Sequence, residues 1–176
     1  MREFYYNIQF KDNGRLLTRV NNIAICLDEG VLRKILRVPR EGTGSVLGRT
    51  FSSECVAVIS KTPTTKVAGI YKKIMKSEYK LFFEFINKVL LPRTEKRTVS
   101  TAADLFVMEM LCNFEALNLP GLMLEHIHKT VIERKGVHGM GYGYFLTEVF
   151  KHFQIPLSVG KMGTTKQTIS ESTLVE

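Results

Sequence analysis

The sequence predicts a mainly α-helical fold: a single domain of about five to six helices, with a small β-hairpin near its start and a disordered tail at its end. Three observations predict it. Apolar residues recur at three- and four-residue spacing through most of the second half, as they do on helices with one buried face. Prolines 39, 92, 120 and 156 fall where these periodic stretches stop or start, as the ring's missing donor and fixed φ require. Asn21-Asn22 separates two apolar segments, and asparagine tolerates the positive φ of a tight hairpin turn.

In chain order, Phe4 to Phe10 reads as helix rather than strand, and Lys11-Asp12-Asn13-Gly14 as a turn. Leu16–Val20 and Ile23–Leu27 form the hairpin arms. Asp28 can then cap a helix carrying Val31, Leu32, Ile35 and Leu36, which must stop before Pro39. Residues 40–65 are the least regular part, a surface excursion in which Val56–Ile59 adds a short strand.

From Lys66 the pattern turns helical. Val67, Ile70, Tyr71 and Ile74 share one arc at about 100° per residue, and Lys72, Lys73, Lys76 and Lys80 lie opposite. Glu78 breaks the arc, so two consecutive helices, about 66–76 and 78–91, are expected. Pro92 ends the second, and Arg93–Arg97 is a charged loop. Thr101-x-x-Asp104 is a capping box in its aspartate form, with Leu105, Met108, Leu111 and Phe114 following at helical spacing. Asn118 before Leu119-Pro120 opens another helix, running to about Lys135 with Gly136 as its stop. Past the loop His138–Gly143, Phe145, Leu146, Val149, Phe150 and Phe153 mark a last helix. Residues 158–176 are rich in Ser, Thr, Gly and Lys, the composition of a disordered tail.

The chain has 176 residues, 44% hydrophobic and 24% charged, enough for one real core. Met1–Tyr6 lacks the pattern of a secretory signal, and no apolar run approaches the roughly 20 residues of a membrane span. Cys26, Cys55 and Cys112 are an odd, widely spaced set with no CxxC pair, which fits a reducing, intracellular compartment.

Candidate chemistry is sparse. Gly139-x-Gly141-x-Gly143 has neither the spacing nor the preceding strand of a dinucleotide loop and reads as a helix connection. Glu125-x-x-His128 is half of a carboxylate-bridged metal motif that nothing completes, and His126 and His128 point about 200° apart on a helix. No nucleophile elbow is present. The reading therefore carries no catalytic residue, no metal and no cofactor.

Basic residues are the strongest remaining signal. The net charge is +8, but residues 1–100 hold 19 Lys/Arg against 9 Asp/Glu, whereas residues 101–176 hold 6 against 8. Lys72, Lys73, Lys76 and Lys80 on one helix face, with Arg93, Lys96 and Arg97 beyond, would form a stripe able to meet the phosphates of DNA or RNA. A solvated helix face explains the same pattern.

Several motifs also occur together in a fixed order. They are Leu90-Leu91-Pro92-Arg93, Val99-Ser100-Thr101-Ala102-Ala103-Asp104-Leu105, Asn118-Leu119-Pro120, Gly141-Tyr142-Gly143-x-x-Leu146-Thr147-x-x-Phe150 and Phe153-x-Ile155-Pro156-Leu157. With Arg2-Glu3-Phe4-Tyr5 and 25–39, they resemble the plant transposon protein domain and, more distantly, the first-open-reading-frame proteins of Athila-type retrotransposons. The resemblance covers most of 2–157, poorest over 40–65, and implies a domain at 1–157, truncated within its opening helix, with 158–176 as tail. It implies an origin in a plant mobile element and no active site. The expected function is a non-enzymatic helical domain acting in assembly, with itself or other element-encoded proteins, or in partner binding. A nucleic-acid-binding module using Lys72–Arg97 is the alternative, and an unrecognised enzyme around Gly139–Gly143 with His126, His128 or His138 a remote one. No membrane partner is expected.

Overall fold

The computed structural model describes residues 2–39, 41–62, 69–93, 97–133 and 141–157. Helix α1 (Arg2–Tyr6) leads into a three-stranded antiparallel sheet of β1 (Gln9–Phe10), β2 (Leu16–Val20) and β3 (Ile23–Leu27), in the order β1-β2-β3. Asn21 and Asn22 take φ of 48° and 63°, so the two-residue turn sets Val20 opposite Ile23, the twist-matched geometry for a hairpin. The sheet has one strand more than the expected hairpin. Helix occupies only the first part of Phe4–Phe10, and Gln9-Phe10 pairs with Leu16-Leu17 across the Lys11–Gly14 turn.

Helix α2 (Glu29–Leu36) starts where Asp28 accepts the Val31 N–H at 2.9 Å and ends at Arg37 in the left-handed region, before Pro39. Helix α3 (Ser53–Ile59) replaces the strand expected at Val56–Ile59. The Ser52 hydroxyl accepts the Cys55 N–H at 3.0 Å while Glu109 holds Ser52 itself. Cys55, Val56 and Ile59 then face inward at helical spacing, so local capping and packing override the β preference of the branched residues.

No α-helix occupies 69–76, the described part of the expected helix 66–76. Tyr71 bridges to Val99 and Met75 to Ser60, with only a 3₁₀ turn, Lys72–Ile74, between them. The backbone spends its hydrogen bonds on neighbouring segments: Lys72 N–H to Thr98 C=O, Ser100 N–H to Ile70 C=O and Lys76 N–H to Ile59 C=O, each at 2.8–2.9 Å. Gly69 is required here, because a Cβ would lie 1.9 Å from the Ser100 carbonyl oxygen.

Helix α4 (Ser77–Phe85) runs on as a π-helical turn, Ile86–Leu90, up to Pro92. Helix α5 (Ala102–Cys112) carries the expected capping box complete: Thr101 accepts from Asp104 N–H and Asp104 accepts from Thr101 N–H. Helices α6 (Leu119–Glu133) and α7 (Gly143–His152) complete seven α-helices among the described residues, one or two more than expected. The α6 stop at Lys135–Gly136, Arg40 and the tail 158–176 lie outside the described residues. No helix among them is long and apolar enough to cross a membrane.

The buried apolar residues form two clusters. One gathers the sheet, α1, α2 and α7 around Phe4, Leu16, Leu27 and Leu146. The other gathers α3, α4, the π turn and α5 around Ile59, Met75, Phe83 and Leu105. Helix α6 serves both, with Met123 and Ile127 in the first and Leu122 in the second. A polar junction sits at its start. Asn118 accepts the Gly121 N–H through Oδ1 and donates through Nδ2 to Glu29 of α2, both at 3.1 Å. Its backbone pairs with Thr43, whose neighbour Gly42 has φ 97° and no space for a Cβ, which would fall 2.1 Å from the Ala116 carbonyl oxygen.

Because Asn118 is buried and closes both a cap and an inter-helix bond, Asn118→Ala is expected to cost about 2 kcal/mol. That corresponds to roughly 4–8 °C in Tm for a chain of this size. Thermal unfolding by circular dichroism measures it; a change below 1 °C would refute the junction's role.

Candidate nucleic-acid interface

The lysine stripe does not exist as a stripe, because the residues that would carry it are not on one helix. Lys72 sits on the 3₁₀ turn with its side chain 10% exposed, and Lys80 of α4 is buried. Lys76 is half-buried at the start of α4. Arg93 turns inward to Asp104, at 2.8 Å, and also donates to the Val99 carbonyl at 2.9 Å. Lys96 lies outside the described residues. The expected solvent-facing array is thus corrected: chain pairing, not helical periodicity, decides where each lysine points.

Three of the seven residues nevertheless converge. Lys72, Lys73 and Arg97 line one cleft of about 390 Å³ together with Tyr71, Glu84, Lys88 and Thr98. The cleft lies between the 71–73 turn, the 97–98 segment and the end of α4. Its floor is an ion triad: Glu84 accepts from Lys72 at 3.1 Å and from Lys88 at 2.9 Å, all three side chains at most 10% exposed. Burial alone pushes the Glu84 carboxyl up, but the hydrogen bonds and charges of Lys88 and Lys72 outweigh it and hold the group below the usual carboxylate range. The rim carries Lys73 and Tyr71, both exposed, and Arg97, whose Nε donates to the Arg93 carbonyl at 2.6 Å. The Lys73 ammonium stands 5.6 Å from the centre of the Tyr71 ring, and Tyr71 is 54% exposed.

Among the described residues, four cationic side chains and one carboxylate line the cleft. Lysine and arginine side chains gathered at one cleft suit phosphate oxygens. Lys88 was not among the expected residues, although its i,i+4 spacing from Glu84 on a helical stretch was a readable signal. A wider cleft of about 800 Å³, between the Lys11–Arg15 turn, α2 and α6, mixes Lys11 and Arg15 with Asp12, Asp28, Glu29 and Glu125 and has no comparable charge bias.

The other sequence candidates have packing roles. His128 stacks edge-on against Phe10 at 4.3 Å and His126 against Tyr142 at 5.6 Å, so the two do not share a site. Tyr5 donates to the Gly141 carbonyl at 2.9 Å and buried Tyr142 to the Leu90 carbonyl at 2.7 Å; burial raises both phenols well above their ordinary value and keeps them donors. His138, Gly139 and Met140 lie outside the described residues. Burial, then the charges of Glu109 and Cys112, pushes the Cys55 thiol up to about 12, and burial then Glu109 raises Cys112, so both are thiols at neutral pH. Among the described residues no group of three or more His, Cys, Asp or Glu is placed to hold a metal ion. Comparison of the chain with protein-family models, with curated proteins and with solved structures gave no match in any of the three.

Glu84's depressed value means that its stabilising effect is complete above the ordinary glutamate range and is lost as pH falls through the folded-state value. Glu84→Gln is expected to lower stability by about 3 kcal/mol at pH 7, with the deficit shrinking below about pH 4. Urea titrations from pH 7 to pH 3 follow this; a deficit independent of pH would sink the triad's electrostatic role.

Proposed function

We propose that the chain is a non-catalytic helical domain of a plant transposable-element protein, acting inside the cell, and that its partner is nucleic acid held by phosphate contacts in the Tyr71–Thr98 cleft. The observation that supports the partner is that Lys72, Lys73, Lys88 and Arg97 line one cleft, with Glu84 the carboxylate among its described residues. The element origin rests on the ordered motifs from Leu90 to Leu157. In this reading Lys72 and Lys88 set the potential of the floor, while Lys73 and Arg97 at the rim make the contacts. Phosphate contacts of this kind carry affinity rather than sequence choice.

A labelled oligonucleotide should therefore bind with an affinity that falls linearly in log salt, with a slope of about −2 to −3 for three or four phosphates on a single strand. Lys73→Glu with Arg97→Glu should weaken binding at least about tenfold by fluorescence anisotropy while leaving the circular dichroism spectrum unchanged. Binding that is absent at low salt, or indifferent to salt, overturns the proposal.

Self-assembly is a second reading, favoured by Leu81 and Phe85, one turn apart on α4 and 47% and 37% exposed. Two copies of such a ridge can bury each other. Sedimentation of the chain at rising concentration should then show a dimer that Leu81→Glu abolishes; a constant monomer mass refutes it.

A further inference from the structure

Resting on the nucleic-acid reading, we infer that the cleft takes an unpaired nucleotide, its base against the Tyr71 ring and its phosphate between Lys73 and Arg97, so that the ligand class is single-stranded rather than duplex nucleic acid. Three observations lead there. The first is size: about 390 Å³ is at the small end of the range that encloses one small ligand. A duplex could touch its rim but not fill it.

The second is the aromatic residue. Tyr71 is a large ring, 54% exposed, at the mouth of a cationic cleft. Bases in a duplex have both faces covered by their neighbours, whereas an unpaired base presents a π-face that an aromatic side chain can meet. The backbone that carries the ring is held on both sides. Its residue bridges to Val99, the next N–H donates to Thr98, and its carbonyl accepts from Ile74 N–H at 3.0 Å.

The third is the division of the cations. Lys72 and Lys88 are tied to Glu84 below the surface, while Lys73 stands over one face of the ring at 5.6 Å, leaving the opposite face for a base, and Arg97 is held by the Arg93 carbonyl. A cation and an aromatic ring thus stand 5.6 Å apart at the mouth of the cleft that Arg97 also lines, close enough for one nucleotide to meet the ring with its base and a cation with its phosphate. Thr98, exposed beside Arg97, adds a hydroxyl donor to the same edge.

The test uses the full chain and labelled twelve-residue probes: oligo(dT), oligo(rU), an abasic strand of the same length, and a blunt duplex. Oligo(dT), oligo(rU) or both should bind about tenfold tighter than the duplex and the abasic strand, and comparing the two homopolymers assigns DNA or RNA. Tyr71→Ala should remove that advantage, while Tyr71→Phe retains it. Thermal unfolding of each variant checks the fold, and the abasic probe tests stacking on the unaltered protein. Equal affinity for single strand, duplex and abasic strand overturns the inference but leaves the phosphate-binding reading standing. Binding to none of the probes overturns both.

Discussion

The Arg93–Asp104 ion pair is the constraint on which the second half of the structure depends. Asp104 is 1% exposed, so its charge has been taken out of water and must be matched. It is matched twice over: the Arg93 guanidinium and the Thr101 N–H, at 2.6 Å, converge on one carboxylate oxygen. The same guanidinium donates to Val99 and lies 5.9 Å from the centre of the Phe83 ring. One side chain thus ties the end of α4, the 97–100 segment and the start of α5. Through the 97–100 segment it reaches the cleft, since Val99 pairs with Tyr71 and the Arg93 carbonyl fixes Arg97. Arg93 acts on the rim of the cleft through what it holds.

The two apolar clusters are joined by chemistry of a different kind. Helix α6 has no single apolar stripe because it is covered on more than one side, and its first turn is fixed by Asn118 rather than by packing. Tyr142, counted in the first cluster, donates to Leu90 at the edge of the second. Neutral hydrogen bonds between buried groups are directional, so they fix how the clusters meet where apolar contact alone would permit sliding.

What the sequence made legible was whatever is decided locally. The Asn21-Asn22 turn, the Asp28 and Asn118 caps and the Thr101–Asp104 box each depend on residues within three positions, and each occurs as read. The 69–76 segment was misread because its apolar spacing fits a helix equally well. Its real partners, Val99, Ser100 and Ser60, are distant in sequence and their pairing wins. The lysines followed that error. Periodicity assigned them to one exposed face, whereas Glu84 draws Lys72 inward and Lys73 stays out. Two neighbours with identical chemistry have opposite environments, and no pattern of types alone could separate them. The third strand was hidden for a simpler reason: two residues are too few to show alternation.

Every described residue lining the cleft lies within the span from Tyr71 to Thr98. The loop that must close to assemble it is therefore short, and closure entropy grows only slowly with such lengths. The remaining support, Ile59 and Ser60 before it and Ser100 and Asp104 after it, lies close on either side of that span. A site built from one uninterrupted stretch has low contact order and can form before the distant Thr43–Leu117 pairing brings the first half of the chain to α6. It also passes through recombination whole. A crossover between α2 and α3 would exchange the sheet, α1 and α2 and leave the cleft's described lining and its Ile59–Ser60 support intact.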